Sequence, residues 1–589
     1  MGECIGLDFG TTYSVVARLK GVERNKQGEV RKYDTIEAVN LGEGGNQTST
    51  VDSIVAVSPQ GRKKYGIAAR MRTAQQDYQI YKGFKMLLSE KNDKEGLQRL
   101  KENGFSGVEE PYEVTKYFLE SLIDSYKSRY LSRGETIDKL VVGVPEVWFN
   151  TSINSRGKLE AIAESIVGKG KVQLESEPKL ACTYFVHTYK KKTGDDYSGH
   201  ILLIDYGGGT LDIAVCRVDS RNGRPEVSIV FKTGAGANEQ KKLGNAGMAF
   251  LETVVNNTLI QNGVREADIQ LNNSYYSCLH NVESLLMVSG DDVREVYEEC
   301  AGDPDEIDEE FCNITYNAQT YSVTYGTLSQ AYHQAIEPVF REKLREVKEK
   351  LEEKGIDYTD DKSDTFRIAL VGGFCNFYLT QQQVEKTPGL GRGGLYDDHR
   401  YMDFDAYLAD GSEREKAVAY GAALMANGVI SSKTQAPYSL YLLPFRTVNG
   451  KKVPFEGEVF EVFNEYDEIK FDEPRMVRKI KLDEKTHQPC RDAKGRTQSV
   501  EVRFRADSIP FIKMQVGRDS FIGQPSRDLI LPGQRTIKIG FSLDRNYILS
   551  LHVYDYGERG LNKEPKVTVQ RLTNINDLLG GLAYTTEEG

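Results

Sequence analysis

The sequence predicts an α/β protein in two parts: a large two-lobed α/β domain over residues 1–428, then an antiparallel β-sandwich-like domain over 438–572. Three observations lead there. Up to about residue 430, short apolar runs alternate with stretches of helical periodicity, the pattern of strands and helices in turn. Two segments, IGLDFGTTYS from Ile5 and LIDYGGGTLD from Leu203, follow one plan: apolar strand, aspartate, one residue, glycine turn, threonine, second strand. After Gly428 the period falls to two. Ile537, Ile539, Phe541 and Leu543 alternate on one run and Leu549, Leu551 and Val553 on the next, as in a sheet with one wet face.

Each element has its own signal. Residues 2–19 read as strand, glycine turn and strand. Residues 112–130 carry apolar side chains at helical spacing, 140–144 form a short buried strand ended by Pro145, and 152–168 are helical again. The second strand–turn–strand spans 201–218. Residues 327–353 read as one long helix, kinked at Pro338 and stopped by Gly355. A buried strand at 366–371 leads into a third glycine turn, Gly372-Gly373, and a helix-like stretch from Tyr378. Residues 414–427 form an alanine-rich helix. The polar, turn-rich SSKTQAP within 429–437 is the expected linker. Beyond it, the run 459–463 is strand-like and reads as core in preference to a peptide pocket. Residues 481–497 read as a polar loop, 544–546 as a turn, and 573–589 as a tail.

Composition narrows the function classes. A length of 589 residues suits roughly four domain-sized units. A hydrophobic fraction of 39% with 28% charge is that of a globular protein, not a disordered, collagen-like or disulfide-stapled one. The net charge, 76 − 87 = −11, argues against general nucleic-acid affinity, which needs a basic face. Eight cysteines and seven histidines lie scattered, without a C-x-x-C pair, so no zinc site is expected and the thiols read as reduced. No basic-then-apolar leader opens the chain and no run of 18 apolar residues occurs. The expectation is an acidic cytoplasmic protein without a membrane span.

The chemistry is expected at the glycine turns. Asp8 and Asp205 each stand at a strand terminus beside a turn, and glycines let backbone N–H groups approach an anion with no Cβ in the way. Facing copies would give two phosphate-gripping hairpins and two carboxylates about one cleft. Neither segment is a P-loop or a dinucleotide fingerprint, because both need a helix after the glycines and Leu211-Asp-Ile-Ala-Val-Cys continues as a strand. One D-x-G-x-T string alone is as readily an ordinary hairpin turn; the second copy makes the pair specific.

The ordered set LDFGTTYS, VPEVWFN, SEPKLA, IDYGGGTLDIAV, LVGGF and AVAYGAA resembles the ATPase domain of the 70-kDa heat-shock chaperones, within the actin, sugar-kinase and chaperone superfamily, over most of residues 1–428. RTIKIGFSLDRNYILSLHVYD is similar to the strand pair closing that family's β substrate-binding domain. The resemblance implies a duplicated actin-like ATPase domain binding ATP or ADP with Mg2+. It places Asp8 and Asp205 around the metal ion and its waters. Gly10, Thr11, Thr12 and Tyr13 match the first phosphate loop, and Gly207, Gly208, Gly209 and Thr210 the second. Lys85 matches the catalytic lysine, Glu177 the glutamate near the attacking water, and Pro145 the proline that relays nucleotide state. Gly372 and Gly373 match the turn against the nucleoside, and Gly244, Ser289 and Asn376 join the nucleotide contacts. A protein or peptide client and co-chaperones are the partners implied.

Three departures qualify the resemblance. The stretch matching the family's purine clamp, His280 to Ser289, is mostly apolar, and Asn376 stands where the family stacks an arginine on the base. The linker holds no leucine, so its docking on the ATPase domain is not expected. The chain ends about 20 residues after Val569, which leaves no room for the family's helical lid. The leading expectation is a chaperone-like ATPase. The alternative is a nucleotide-dependent switch with little turnover. A carbohydrate kinase and a filament-forming actin relative are disfavoured, because either leaves the β domain unexplained.

Overall fold

The structure is a computed structural model. It describes all residues except 1, 44, 46, 74, 76, 89, 91, 93, 146–147, 149–152, 221–224, 236–245, 301, 360–364, 391–400, 403–412, 455–459, 482–489, 491–497, 506–510, 517–518, 524–534, 545–546, 548, 559, 561–562, 573–582 and 587–589. The chain is mixed α/β and divides into two compact units, residues 1–148 with 154–432, and residues 433–589.

The first unit is built on two six-stranded sheets. The first sheet holds β1 (Glu3–Phe9), β2 (Tyr13–Lys20), β3 (Thr35–Ala38), β4 (Val51–Asp52), β5 (Ile137–Val144) and β6 (Val172–Ser176). The second holds β7 (Gly199–Tyr206), β8 (Leu211–Asp219), β9 (Glu226–Ala235), β10 (Phe366–Val371), β11 (Tyr401–Met402) and β12 (Ser431–Ser432). Their orders are β6-β5-β1-β2-β3 and β11-β10-β7-β8-β9-β12, with β4 pairing β2. In each, an antiparallel hairpin (β1–β2 or β7–β8) carries two parallel strands on the side of its first member. The central strands are apolar on both faces, as Ile201–Ile204 show at 0% exposure, because helices cover them.

Two helices pack between the sheets. α4 (Glu177–Thr193) contacts β5 and β6 of one sheet and β7, β8 and β9 of the other, and α9 (Glu413–Ala426) lies on β1, β2, β5, β10 and α4. The alanine content of α9 follows from that approach. A Cβ on Gly6 would stand 2.5 Å from the Ala419 carbonyl oxygen, and one on Gly421 would overlap the Leu180 carbonyl. α2 (Glu110–Tyr130) and α3 (Ile153–Val167) agree with their sequence periodicity. The expected long helix is instead two, α7 (Tyr325–Ala335) and α8 (Glu337–Glu353). Pro338 has no N–H to continue a helix and sits in the first turn of the second one, so the chain breaks where a kink was expected. Gly355, at φ +64°, stops α8 as anticipated.

The start of the expected linker is not a linker. Ile430 is buried, and Ser431–Ser432 pair in parallel with Glu226–Val227 as an edge strand, with the Ser432 hydroxyl donating to Glu175 Oε2 at 2.6 Å. Backbone pairing and a buried carboxylate hold this segment without a leucine.

The second unit is antiparallel throughout its described pairs. One sheet includes β13 (Ser439–Leu443), β14 (Phe460–Phe463), β15 (Phe511–Val516), β16 (Asp519–Gly523) and β19 (Ala583–Thr586); the other includes β17 (Arg535–Leu543) and β18 (Leu549–Glu558). One core joins them: Leu440, Leu442, Phe460, Val462 and Phe463 pack with Ile537, Ile539, Phe541, Leu549, Leu551 and Val553. The strand-like 460–463 run is therefore core. Residues 583–586, read as tail, pair instead with Asp519–Gly523 at the sheet edge. Most of the 481–497 loop lies outside the described residues. Among the described residues no helix is long and apolar enough to cross a membrane.

Candidate functional site

The two hairpin turns meet at their tips. A Cβ on Gly208 would stand 2.5 Å from Thr12 Oγ1, and one on Gly209 2.8 Å from Thr11 Oγ1. Neither glycine has left-handed backbone. They are needed for close approach, not for the turn itself. The first turn is fixed by Ser53, whose backbone N–H donates to the Thr12 carbonyl at 2.7 Å and whose hydroxyl donates to the Gly10 carbonyl at 2.8 Å. The second closes on itself through Gly207 N–H to the Thr210 carbonyl. It is also held by the N-terminus of α5 (Gly247–Gln261), where the Gly247 and Met248 amides donate to the Gly207 and Gly208 carbonyls at 3.1 and 2.8 Å.

Two carboxylates stand beneath the turns. Asp8 lies opposite Val15 and Asp205 opposite Asp212 across their hairpins. Burial pushes the Asp8 carboxyl up to about 7, with the Glu177 charge adding to the shift and Lys85 opposing it. Asp205 is raised well above the usual carboxylate range, again by burial first, then by Glu177, Asp212 and Asp8. Gly372, at φ +84°, closes over this group; a Cβ there would stand 2.6 Å from Asp205 Oδ1.

The compensating cation comes from a short helix. Gly83 adopts left-handed backbone and opens α1 (Phe84–Leu87), which delivers Lys85 into the cleft. Its Nζ lies 2.8 Å from Glu177 Oε1, and both side chains are nearly excluded from solvent. Glu177 is placed by the β6–α4 junction, where Ser176 caps the helix and Pro178 occupies its first turn. Lys85 Nζ also lies 5.8 Å from the Phe9 ring centroid and 5.9 Å from that of Trp148, the only tryptophan of the chain. Pro145 is buried at the end of β5 and accepts from the Trp148 amide.

These groups line one cavity of about 180 Å³: Asp8, Gly10, Thr11, Thr12, Tyr13, Lys85, Glu177, Asp205, Gly207, Gly208, Gly209, Thr210, Gly372 and Gly373 all face it. Ser289 does not line it; it terminates α6 (Asn273–Val288). Gly244 lies outside the described residues, as does the side chain of Asn376, whose backbone ends the turn Gly373–Asn376. Sequence reasoning missed the apolar wall, made by Met248, Phe250 and Leu251 on α5, Leu286 on α6, and Phe374 and Phe377 beyond the third glycine turn. The signals for it were the apolar stretch from His280 to Ser289 and the aromatic spacing in GGFCNF. A smaller cavity of about 80 Å³ shares Thr11, Thr12, Met248, Leu251 and Glu283 with the first, and adds Asp52, Lys82 and His280.

The donor set suits a hard divalent cation that keeps water or phosphate ligands. Asp8 and Asp205 are oxygen donors whose crowded negative charge a cation would relieve. Among the described residues no three His, Cys, Asp or Glu side chains converge into a closed metal cage. The arrangement provides amide and hydroxyl donors for an anion, a buried ammonium, and three carboxylates able to position water or hold a proton. No protein-family model matches the chain.

Proposed function

We propose that this cleft binds a magnesium–nucleoside triphosphate and hydrolyses it, and that the chain is a divergent relative of the 70-kDa heat-shock chaperones. The observation that carries the reading is the tip-to-tip contact of the two glycine turns over Asp8, Asp205 and the Lys85–Glu177 pair. Two such turns give donors on both sides of a polyphosphate, which is what phosphoryl transfer asks of a protein: position and charge compensation. The matching strand orders of the two sheets support the reading of duplicated actin-like lobes.

In this reading the 10–13 and 207–210 turns hold the phosphate oxygens through backbone N–H groups and the Thr11, Thr12 and Thr210 hydroxyls. Asp8 and Asp205 would hold a magnesium ion, which would supply neutralisation of phosphate charge. Lys85 turns from Glu177 toward the γ-phosphate. Water oxygen bonds to the γ-phosphorus as the bond to the bridging oxygen of the departing diphosphate breaks. Glu177 or Asp205 takes the proton. The β unit would hold a polypeptide partner, and ATP or ADP in the cleft would set how tightly.

The second reading, a nucleotide-dependent switch with little turnover, is favoured by one observation. Lys85 and Glu177 satisfy each other in a buried pair, so neither serves phosphate until that pair opens. Magnesium-dependent release of phosphate from ATP by the purified chain, lost in Asp205→Asn, supports the ATPase. ATP binding with no release above background leaves the switch, and binding of neither ATP nor ADP removes both.

A further inference from the structure

The cavity wall divides by element into two chemistries. The two glycine turns, β1, β7, α1 and α4 contribute amides, hydroxyls, carboxylates and an ammonium. The remaining lining includes Gly247, Met248, Phe250 and Leu251 from α5, Glu283 and Leu286 from α6, and Gly372, Gly373, Phe374 and Phe377 from the turn after β10, with Val15, Thr50, Glu415 and Val418 besides. Among the described residues of α5, α6 and the turn after β10, Glu283 is the polar side chain in the lining, and it lies 3.7 Å from His280. A ligand filling the cavity therefore has an anionic end and a flat or apolar end.

The apolar end is built around aromatic rings. Phe374 packs against Phe250 with centroids 5.1 Å apart, against Tyr206 at 5.1 Å edge-on, and against Phe377 at 5.7 Å in a stacked pair inclined by 25°. Phe250, Tyr206 and Phe377 are buried, whereas Phe374 is only half-buried and lines the cavity. The three buried rings fix the orientation of the fourth.

Resting on the nucleotide reading above, we infer that Phe374 is the base platform of this site, and that the site accepts nucleoside triphosphates by the face of the base and not by its edge. Discrimination between bases needs hydrogen-bonding groups that a wrong base leaves unpaired. Around Phe374 the wall is mostly rings and aliphatic side chains, with Glu283 as the polar exception, and stacking on a ring tolerates every base because each has a π-face. Affinity then comes from the phosphate end and stacking area, and adenine holds no privilege over guanine.

Competition binding on the full-length chain tests this, with labelled ATP displaced by unlabelled ATP, GTP or inorganic tripolyphosphate, all with magnesium. GTP is expected within about threefold of ATP, and tripolyphosphate at least about tenfold weaker, the scale of one lost base–ring stack. Phe374→Ala should weaken ATP and GTP alike by about tenfold and leave tripolyphosphate unchanged. Phe374→Leu keeps the volume while removing the π-face, and its retained tripolyphosphate affinity shows that the fold is intact. A preference for ATP over GTP above about thirtyfold would overturn the inference, since stacking alone does not select so strongly. So would ATP affinity insensitive to both variants. Tripolyphosphate binding as tightly as ATP removes the base platform and leaves the phosphate cleft standing. Failure of all three ligands removes the cleft reading itself, and the platform with it.

Discussion

The two glycine hairpins share one sequence plan, yet the structure uses them differently. The β1–β2 turn carries threonines and is tied down from outside by Ser53 of the following segment. The β7–β8 turn carries glycines and is tied down by the amides of the α5 N-terminus. Where the tips meet, one side supplies hydroxyls and the other supplies room for them. Their aspartates differ as well. Asp8 faces Val15 across its hairpin, whereas Asp205 faces a second carboxylate, Asp212. A repeated motif thus yields two complementary half-sites, and a change that is harmless in one half should be costly in the other.

The largest effect is expected at Lys85, the one cation lining the cavity among the described residues. Lys85→Ala leaves Glu177 buried without its partner and Asp8 and Asp205 without a compensating charge. Phosphate release from ATP should fall by about 100-fold or more, in the range seen when one transition-state donor is removed. A Lys85→Ala chain that turns over ATP at the parent rate would show that the pair is structural only.

Next comes the tip contact. Gly208→Ala drives a methyl group into Thr12 Oγ1, whereas the same change at an open turn would be tolerated. ATP affinity should fall about tenfold, and Thr12→Gly in the same chain should recover part of it, a coupling on the order of 1 kcal/mol for residues in contact. Additive effects in the double mutant would mean that the turns do not touch in solution.

The third prediction separates the two aspartates by pH. The folded-state value of Asp8, about 7, lies above its ordinary value of 3.8, so the folded chain holds an extra proton between them. Stability from this group is full below the lower value and is lost as pH rises through the upper one. Asp8→Asn should therefore raise the melting midpoint of the ligand-free chain by a few degrees at pH 8 and change it little at pH 4, at about 2–4 °C per kcal/mol for a domain of this order. Asp205→Asn should do the same more strongly, since Asp205 faces more negative neighbours. Equal shifts at both pH values would show that neither carboxyl is buried in its charged form.

Much of this was legible in the sequence for a physical reason. Asp8, Asp205 and the glycine turns follow local rules, since each aspartate ends an apolar strand beside its turn, whereas Lys85 and Glu177 are named only by the resemblance to the chaperone ATPases. The apolar wall was not legible, because Phe250, Leu286 and Phe374 come from three distant elements and look like ordinary core in any window. The break at Ile336 was misread as a kink because proline disrupts the preceding turn whether or not tertiary packing re-bonds it. The pairing of Ser431–Ser432 inside the expected 429–437 linker was not legible because the segment's polarity signals exposure. A two-residue strand gives no periodicity, and the carboxylate that accepts from Ser432 lies 257 positions away.

The smallest effect concerns that same segment and the two sheets. Ser432 belongs by its backbone to the edge of the second sheet, yet its hydroxyl reaches Glu175 on β6 of the first, two residues before Glu177. Glu175 keeps other partners, the Ser176 amide at 3.0 Å and Lys179 Nζ at 3.6 Å, so losing one donor does not strand its charge. Ser432→Ala should cost about 1–2 kcal/mol in denaturant unfolding of the first unit, the scale of one hydrogen bond to a charged group. If the strap matters for chemistry, the same substitution should shift the ATP turnover rate without changing ATP affinity, because it acts on the strand that positions Glu177 and not on the phosphate turns. A stability loss with unchanged turnover would confine the contact to holding the two sheets together. An unchanged stability would mean that backbone pairing with Glu226–Val227 alone keeps the segment in place.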